Sequence, residues 1–347
     1  MAHRSELLRY VHKPELVRLD YSPVVEGKSL LQAALKLQLM TYDMRSDPYL
    51  LQLVNNPSKS RKLTKKLEEA IFKKDTYCYN ELKSLAIKYE ATAAELGPSV
   101  ADWCLQQCIA QFHKQIRTSD QLLDWSHAEM DHLRKILSRL PLPKDYTSSP
   151  MSLDNLSPKV QALVDLLASE ASPSLTGLVF VEQRVWVAAL AELISIHPKL
   201  QGKLSVGTFV GSSMSLRRKS GIATMIEPRN QQDTLEKFKT GDTNLIITTT
   251  ILEEGIDVSA CHLVICFESP KNLKSFVQRR GRARRIQSKY IIFMASEGSD
   301  RTPGKWESLE QEMRDTYEDD SRRVKEAGER EMIHEVGERI YNIASTR

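Results

Sequence analysis

The chain has 347 residues, 41% of them hydrophobic, and a formal net charge of +4. That length and apolar content predict two or three folded domains and exclude a wholly disordered or fibrous chain. Charge is segregated: Pro270 to Ser296 holds eight Lys/Arg and no acid, whereas Trp306 to Arg347 holds twelve acids against seven bases.

In chain order, residues 1–24 combine a short helical pattern with the strand-like LVRLDY. VVEGKSLLQAAL follows, with Gly27-Lys28-Ser29 opening a helix as a phosphate-binding loop does. Such a loop needs a further glycine five residues before its Gly-Lys pair, to turn backbone N–H groups toward phosphate. Ser22 stands there instead, and Glu26 would bring a carboxylate toward the phosphates, so the P-loop reading is rejected. From Lys28 to about Leu140 the periodicity is helical, with Leu82, Leu85, Tyr89 and Leu96 on one face. Gly97-Pro98 closes one helix and opens the next. This predicts an all-α unit over 25–145 with about four or five helices. Its basic cluster, Lys59 to Lys66, reads as a solvated face or as a phosphate contact.

The five cysteines are sparse and odd in number, which argues for a reducing compartment and a cytoplasmic location, the nucleus remaining open. Cys104, Cys108 and His113 share a helical region, but no second ligand pair completes a tetrahedral site, so helix packing is expected and metal is not. No apolar run reaches the length of a membrane span, so no membrane partner is expected.

Leu140 to Pro158 is a Pro- and Ser-rich linker, with Ser157 as N-cap and Pro158 at the first helical position. Beyond it, the strand-like runs GLVFV, LSVGTFV, NLIITTT, HLVICF and KYIIFMA alternate with helical ones. Strands apolar on both faces and spaced by helices predict a parallel sheet covered on both sides, a RecA-like α/β lobe over 146–300. Residues 301–347 read as a long, charged helical arm.

In an open parallel sheet, function gathers at the C-terminal ends of strands. There the sequence places Arg184 (in FVEQR), Gly211 (in TFVGSS), Thr249, Gly255 and Asp257 (in TTTILEEGID), and then FVQRRGRARR. On a helix, Gln278, Arg282 and Arg285 fall at i, i+4 and i+7 and hence on one face, with Arg284 pointing elsewhere. A helix crowded with like charge persists where an anionic partner offsets the repulsion.

TTTILEEGID and FVQRRGRARR closely resemble motifs V and VI of superfamily 2 helicases, in wording most similar to the Dicer and RIG-I-like branch. FVEQR resembles that branch's motif IV. SELLRYVHKPEL and CYNELKSLAIKYEATAAELG look like fungal Dicer-like proteins in particular.

The resemblance implies a second RecA lobe carrying a helical insert, with 1–24 as inter-lobe linker and 301–347 as a pincer-like arm. It implies that Arg282 reaches the γ-phosphate of ATP·Mg²⁺ held by a first RecA lobe. Arg285 or Arg284, which stay unranked, supplies a second arginine. Gln278 supports the nucleotide, and Asp257 sits near the ribose. Thr249, Gly255, Arg184 and Gly211 line a track for double-stranded RNA, and the insert is a place for protein partners. The chain shows no P-loop and no Asp-Glu-x-His string. It therefore reads as the C-terminal part of a helicase module from a protein of RNA silencing, holding no ATP by itself. The alternatives are a non-catalytic RNA-binding adaptor and a protein-interaction module.

Overall fold

The computed structural model describes residues 14–25, 27, 29–57, 60–118 (backbone alone at 115–118), 126–211, 221–226, 233–253, 258, 260–296, 308 and 311. Two compact units divide the chain, one made of Met1–Ser269 and Gln278–Gly298, the other of Pro270–Val277 and Ser299–Arg347. In the smaller unit the described residues include a helix start, where Asn272 Oδ1 accepts from the Ser275 N–H at 2.9 Å. The arm expected over 301–347 otherwise lies outside the described residues.

The larger unit is built on a six-stranded sheet of order β1-β6-β5-β2-β4-β3. Its strands are β1 (Glu15–Tyr21), β2 (Gly177–Phe180), β3 (Val206–Phe209), β4 (Leu245–Thr248), β5 (Leu263–Cys266) and β6 (Lys289–Ala295). Every pairing is parallel. β2, β4 and β5 are buried along their whole length, which is why GLVF, LIIT and LVIC are apolar on both faces. Phe180 is in register with both Thr248 and Cys266, so the three central strands end level with one another. β1 comes from the segment read as a linker. It pairs with β6 over seven residues, so LVRLDY forms an edge of the sheet itself.

Among the described residues the helical region holds six α-helices. They are α1 (Leu30–Met40), α2 (Pro48–Val54), α3 (Arg61–Lys73), α4 (Tyr77–Leu96), α5 (Pro98–Thr118) and α6 (His127–Leu137). Four or five were expected; the seven-residue α2 is too short to show a helical period. It exists because Asp47 caps it, with Oδ1 accepting from the Tyr49 and Leu50 N–H groups. The other carboxylate oxygen accepts from Tyr42 Oη and from Thr76 Oγ1, and Thr76 in turn caps α4.

Three further helices pack on the sheet, α7 (Pro158–Glu170), α8 (Arg184–Ile196) and α9 (Thr234–Thr240), and α10 (Leu273–Arg280) follows β5 in the chain. As the sequence predicts, Ser157 caps α7 and Pro158 occupies its first turn. One apolar core runs without a break from Leu82, Leu96, Ile109 and Phe112 of the helical region to Trp186, Leu190, Ile247 and Phe293 of the lobe. Cys104 and Cys108 are buried within it, and His113 Nδ1 lies 2.9 Å from the Tyr146 hydroxyl. No helix among the described residues is long and apolar enough to cross a membrane.

Candidate functional site

The residues singled out from the sequence separate into two groups. The first lies just past the C-terminal ends of β2, β3 and β4. Arg184, at the start of α8, sends Nη1 to the Gly211 carbonyl at 2.7 Å, tying the exit of β2 to the exit of β3. A Cβ on Gly211 would lie 2.6 Å from Ile251 Cδ1, so the glycine lets the segment after β4 close against the one after β3. Thr249 follows β4, half-buried, at the head of the 3₁₀ turn Thr250–Leu252. Gly255 and Asp257 lie outside the described residues.

The second group departs from the expected geometry. α10 ends at Arg280, so Gln278, Arg282 and Arg285 do not form one helical face. Gln278, half-buried, is in the last turn, while Gly281 and Arg282 are in a turn. Ala283 then makes an isolated parallel bridge with Cys261. Two backbone hydrogen bonds secure it, Cys261 N–H to the Arg282 carbonyl (3.1 Å) and Arg285 N–H to the Cys261 carbonyl (3.3 Å). The physical reason is that backbone pairing beside β5 satisfies these amides better than further helix, and Gly281 adds the poor helix propensity of glycine after Arg279-Arg280.

Freed from the helix, three arginines surround the residues that lead into β5. Arg282 Nη2 donates to the Glu253 carbonyl (3.0 Å), Arg285 Nε to the Ala260 carbonyl (3.2 Å), and Arg284 Nε to the Gly281 carbonyl (2.6 Å). Arg284 and Arg285 are exposed and Arg282 is half-buried. Burial pushes the Cys261 thiol up to about 12, against the opposing pull of the Arg282, Arg285 and Arg284 charges.

Sequence reasoning missed two residues. Arg279 is 3% exposed; its Nε donates to Glu253 Oε1 at 2.7 Å, and its guanidinium lies 5.1 Å from the centre of the Phe180 ring. Glu253 therefore holds Arg279 by its side chain and Arg282 by its carbonyl. No periodicity links positions 26 apart; the only hint was that LEEGID and QRRGR each carry charge next to strongly apolar strands. Glu268 was also missed. It lies two residues past the end of β5, and its Oε2 accepts from the Glu182 N–H at 3.1 Å beyond the end of β2. Its Oε1 is buried without a hydrogen-bond partner among the described residues.

A model of the helicase conserved C-terminal domain matches residues 158–287, from the first residue of α7 to just past the arginine segment. The chain is 51% identical to Dicer-like protein 2 of Phaeosphaeria nodorum over 99% of its own length and 25% of that protein. It is 39% identical to Dicer-like protein 2-1 of Aspergillus niger over 96% of its length and 24% of that protein. It thus spans about a quarter of the length of the curated relatives it matches. Among solved structures, the Pyrococcus furiosus Hef helicase domain is similar at 17% identity and a TM-score of 0.36, covering 84% of this chain and 57% of that one. The fold assignment rests on the strand order above. The chain carries a helicase conserved C-terminal domain and is similar, over nearly its whole length, to one quarter of the fungal Dicer-like proteins.

Proposed function

We propose that this chain is the ATP-closing, RNA-gripping half of a helicase ATPase, completed by a first RecA lobe that holds ATP·Mg²⁺. The observation that supports this most is the arginine cluster. Arg282, Arg284 and Arg285 fall within four consecutive positions, two of them exposed, and each donates to a neutral main-chain carbonyl. A phosphate is an anionic, bidentate acceptor and outcompetes a carbonyl for a guanidinium. This supports transfer of the arginines to a nucleotide presented from outside the chain. Gln278 and Asp257 support that nucleotide. Arg184, Gly211, Thr249 and Gly255 face double-stranded RNA through phosphate and 2′-OH contacts. A role in RNA silencing is consistent with the names of the relatives.

Two measurements test this. The purified chain should hydrolyse ATP at background level with or without double-stranded RNA; RNA-stimulated turnover by this polypeptide alone overturns the two-lobe reading. In the full-length protein, Arg282→Ala should lower RNA-stimulated ATPase by about 10³-fold or more, the usual worth of such an arginine, while RNA affinity stays within about threefold. Wild-type turnover in that variant removes Arg282 from the nucleotide site.

The helical insert also supports a second role, docking of a protein partner. Phe72 is 90% exposed and Val54 62% exposed on neighbouring helices. Charge reversal at the exposed Lys62 and Lys65 separates the two uses of this region. An unchanged salt dependence of RNA binding favours protein docking, and a shallower slope favours phosphate contact.

A further inference from the structure

We infer that Glu253 and Arg279 form a positioning strut that couples the RNA-facing strand ends to the arginine segment. This rests on the functional reading above and adds the route by which one group of residues acts on the other.

The two groups stand at different places in the lobe. Arg184, Gly211 and Thr249 follow β2, β3 and β4, whereas Arg282 to Arg285 flank the residues that enter β5. Glu253 touches both sides. It closes the 3₁₀ turn that Thr249 opens, its N–H donating to the Thr250 carbonyl at 3.0 Å. Its carboxylate takes Arg279, and its carbonyl takes Arg282. Arg279 in turn lies over the ring of Phe180, the residue that ends β2.

Both members of the pair are nearly dry, at 3% and 10% side-chain exposure. A buried ion pair contributes little net stability, because desolvation cancels most of the attraction. It does fix geometry, since a charge that loses its partner in a dry site has nowhere cheap to go. Movement of the Thr249–Glu253 turn, as when RNA engages the strand ends, must therefore carry Arg279 with it and shift the acceptor on which Arg282 rests. Glu253 and Arg279 touch no substrate in this account; they act through Arg282.

The test uses the full-length protein and a double variant, Glu253→Met with Arg279→Met. Methionine fills irregular apolar space, and replacing a whole buried pair by apolar residues of similar volume is commonly neutral in stability. The strut predicts a thermal midpoint within a few degrees of wild type. It predicts kcat at saturating RNA lower by about tenfold, with KM for ATP within about twofold. Hydrogen exchange supplies an independent readout: amides of 250–253 and of 282–285 should both exchange faster in the variant. A folded double variant with wild-type RNA-stimulated kcat and unchanged exchange in both segments overturns the inference. If the double variant does not fold, Glu253→Gln, which keeps the shape and removes the charge, takes its place with the same readouts. An Arg282→Ala control separates the two levels. Wild-type turnover there overturns the ATP-site reading, while the paired exchange of the two segments still decides whether the strut exists.

Discussion

Glu268 is a carboxyl in the wrong environment for a charge. Burial raises its pKa to about 8 from an ordinary 4.5; the nearby Lys159 ammonium pulls it down, and the carboxylates of Glu95 and Glu182 push it up. A group whose folded pKa exceeds its unfolded one stabilises the fold fully below about 4.5 and loses that contribution as the pH rises through about 8. Wild-type stability should therefore fall between pH 5.5 and 8.5 by an amount that Glu268→Gln abolishes, on the order of 3 kcal/mol. Urea midpoints at the two pH values check it; parallel pH profiles for the two proteins would show that Glu268 does not carry the effect. At this scale the sequence was a partial guide. Residue types at strand ends singled out Arg184 and Gly211, which a hydrogen bond joins across the exits of β2 and β3. The burial of Glu268 and Arg279 left no mark in the sequence, because burial at a strand end depends on elements far away in the chain.

Elements were legible where one local rule decided them. The continuous apolar runs became β2, β4 and β5, and Ser157-Pro158 opened α7 as its capping chemistry requires. The end of α10 was misread. Arginine is a good helix former, so propensity carried the helix through Arg285. The bridge between Ala283 and Cys261 is a long-range pairing that propensity does not contain. Gly281 after two basic residues was the usable signal. Gly97 shows the opposite balance. Its φ of +102° already favours glycine, and a Cβ there would fall 2.7 Å from the Ser157 nitrogen, in the linker that docks on the end of α4. Gly97→Ala should cost about 2–3 kcal/mol or more, combining backbone strain with displacement of the linker. Equilibrium urea unfolding reads this directly; a loss under about 0.5 kcal/mol would mean that the joint between α4, α5 and the linker yields easily.

At the scale of the whole molecule, the sequence suggested an insert joined to a lobe by a linker, whereas the structure interlocks them. Ser157 Oγ donates to the Glu95 carbonyl, Lys159 Nζ to the Glu95 carboxylate, and Trp186 Nε1 to Thr92 Oγ1 at 3.0 Å. Glu81 of α4 accepts from the Ile222 N–H at 2.9 Å, so the insert also holds the chain beyond β3. Such contacts between positions 62 to 141 residues apart leave no local periodicity to read. Their consequence is cooperativity. Elements that share one core and bury each other's polar groups lose both together, so the insert and the sheet should unfold in a single transition. Circular dichroism at 222 nm, dominated by the helices, and the fluorescence of the four tryptophans, which include Trp103 and Trp186 buried in the insert and the lobe, should give superimposable urea curves. Trp186→Phe keeps the ring and leaves Thr92 without its donor, which should lower stability by about 1–2 kcal/mol while the curves still coincide. Two separated transitions would instead make the insert an independent domain. In that case a partner docked on the insert could not act on the arginine segment through the core, because strain passes between elements only when they are packed as one body.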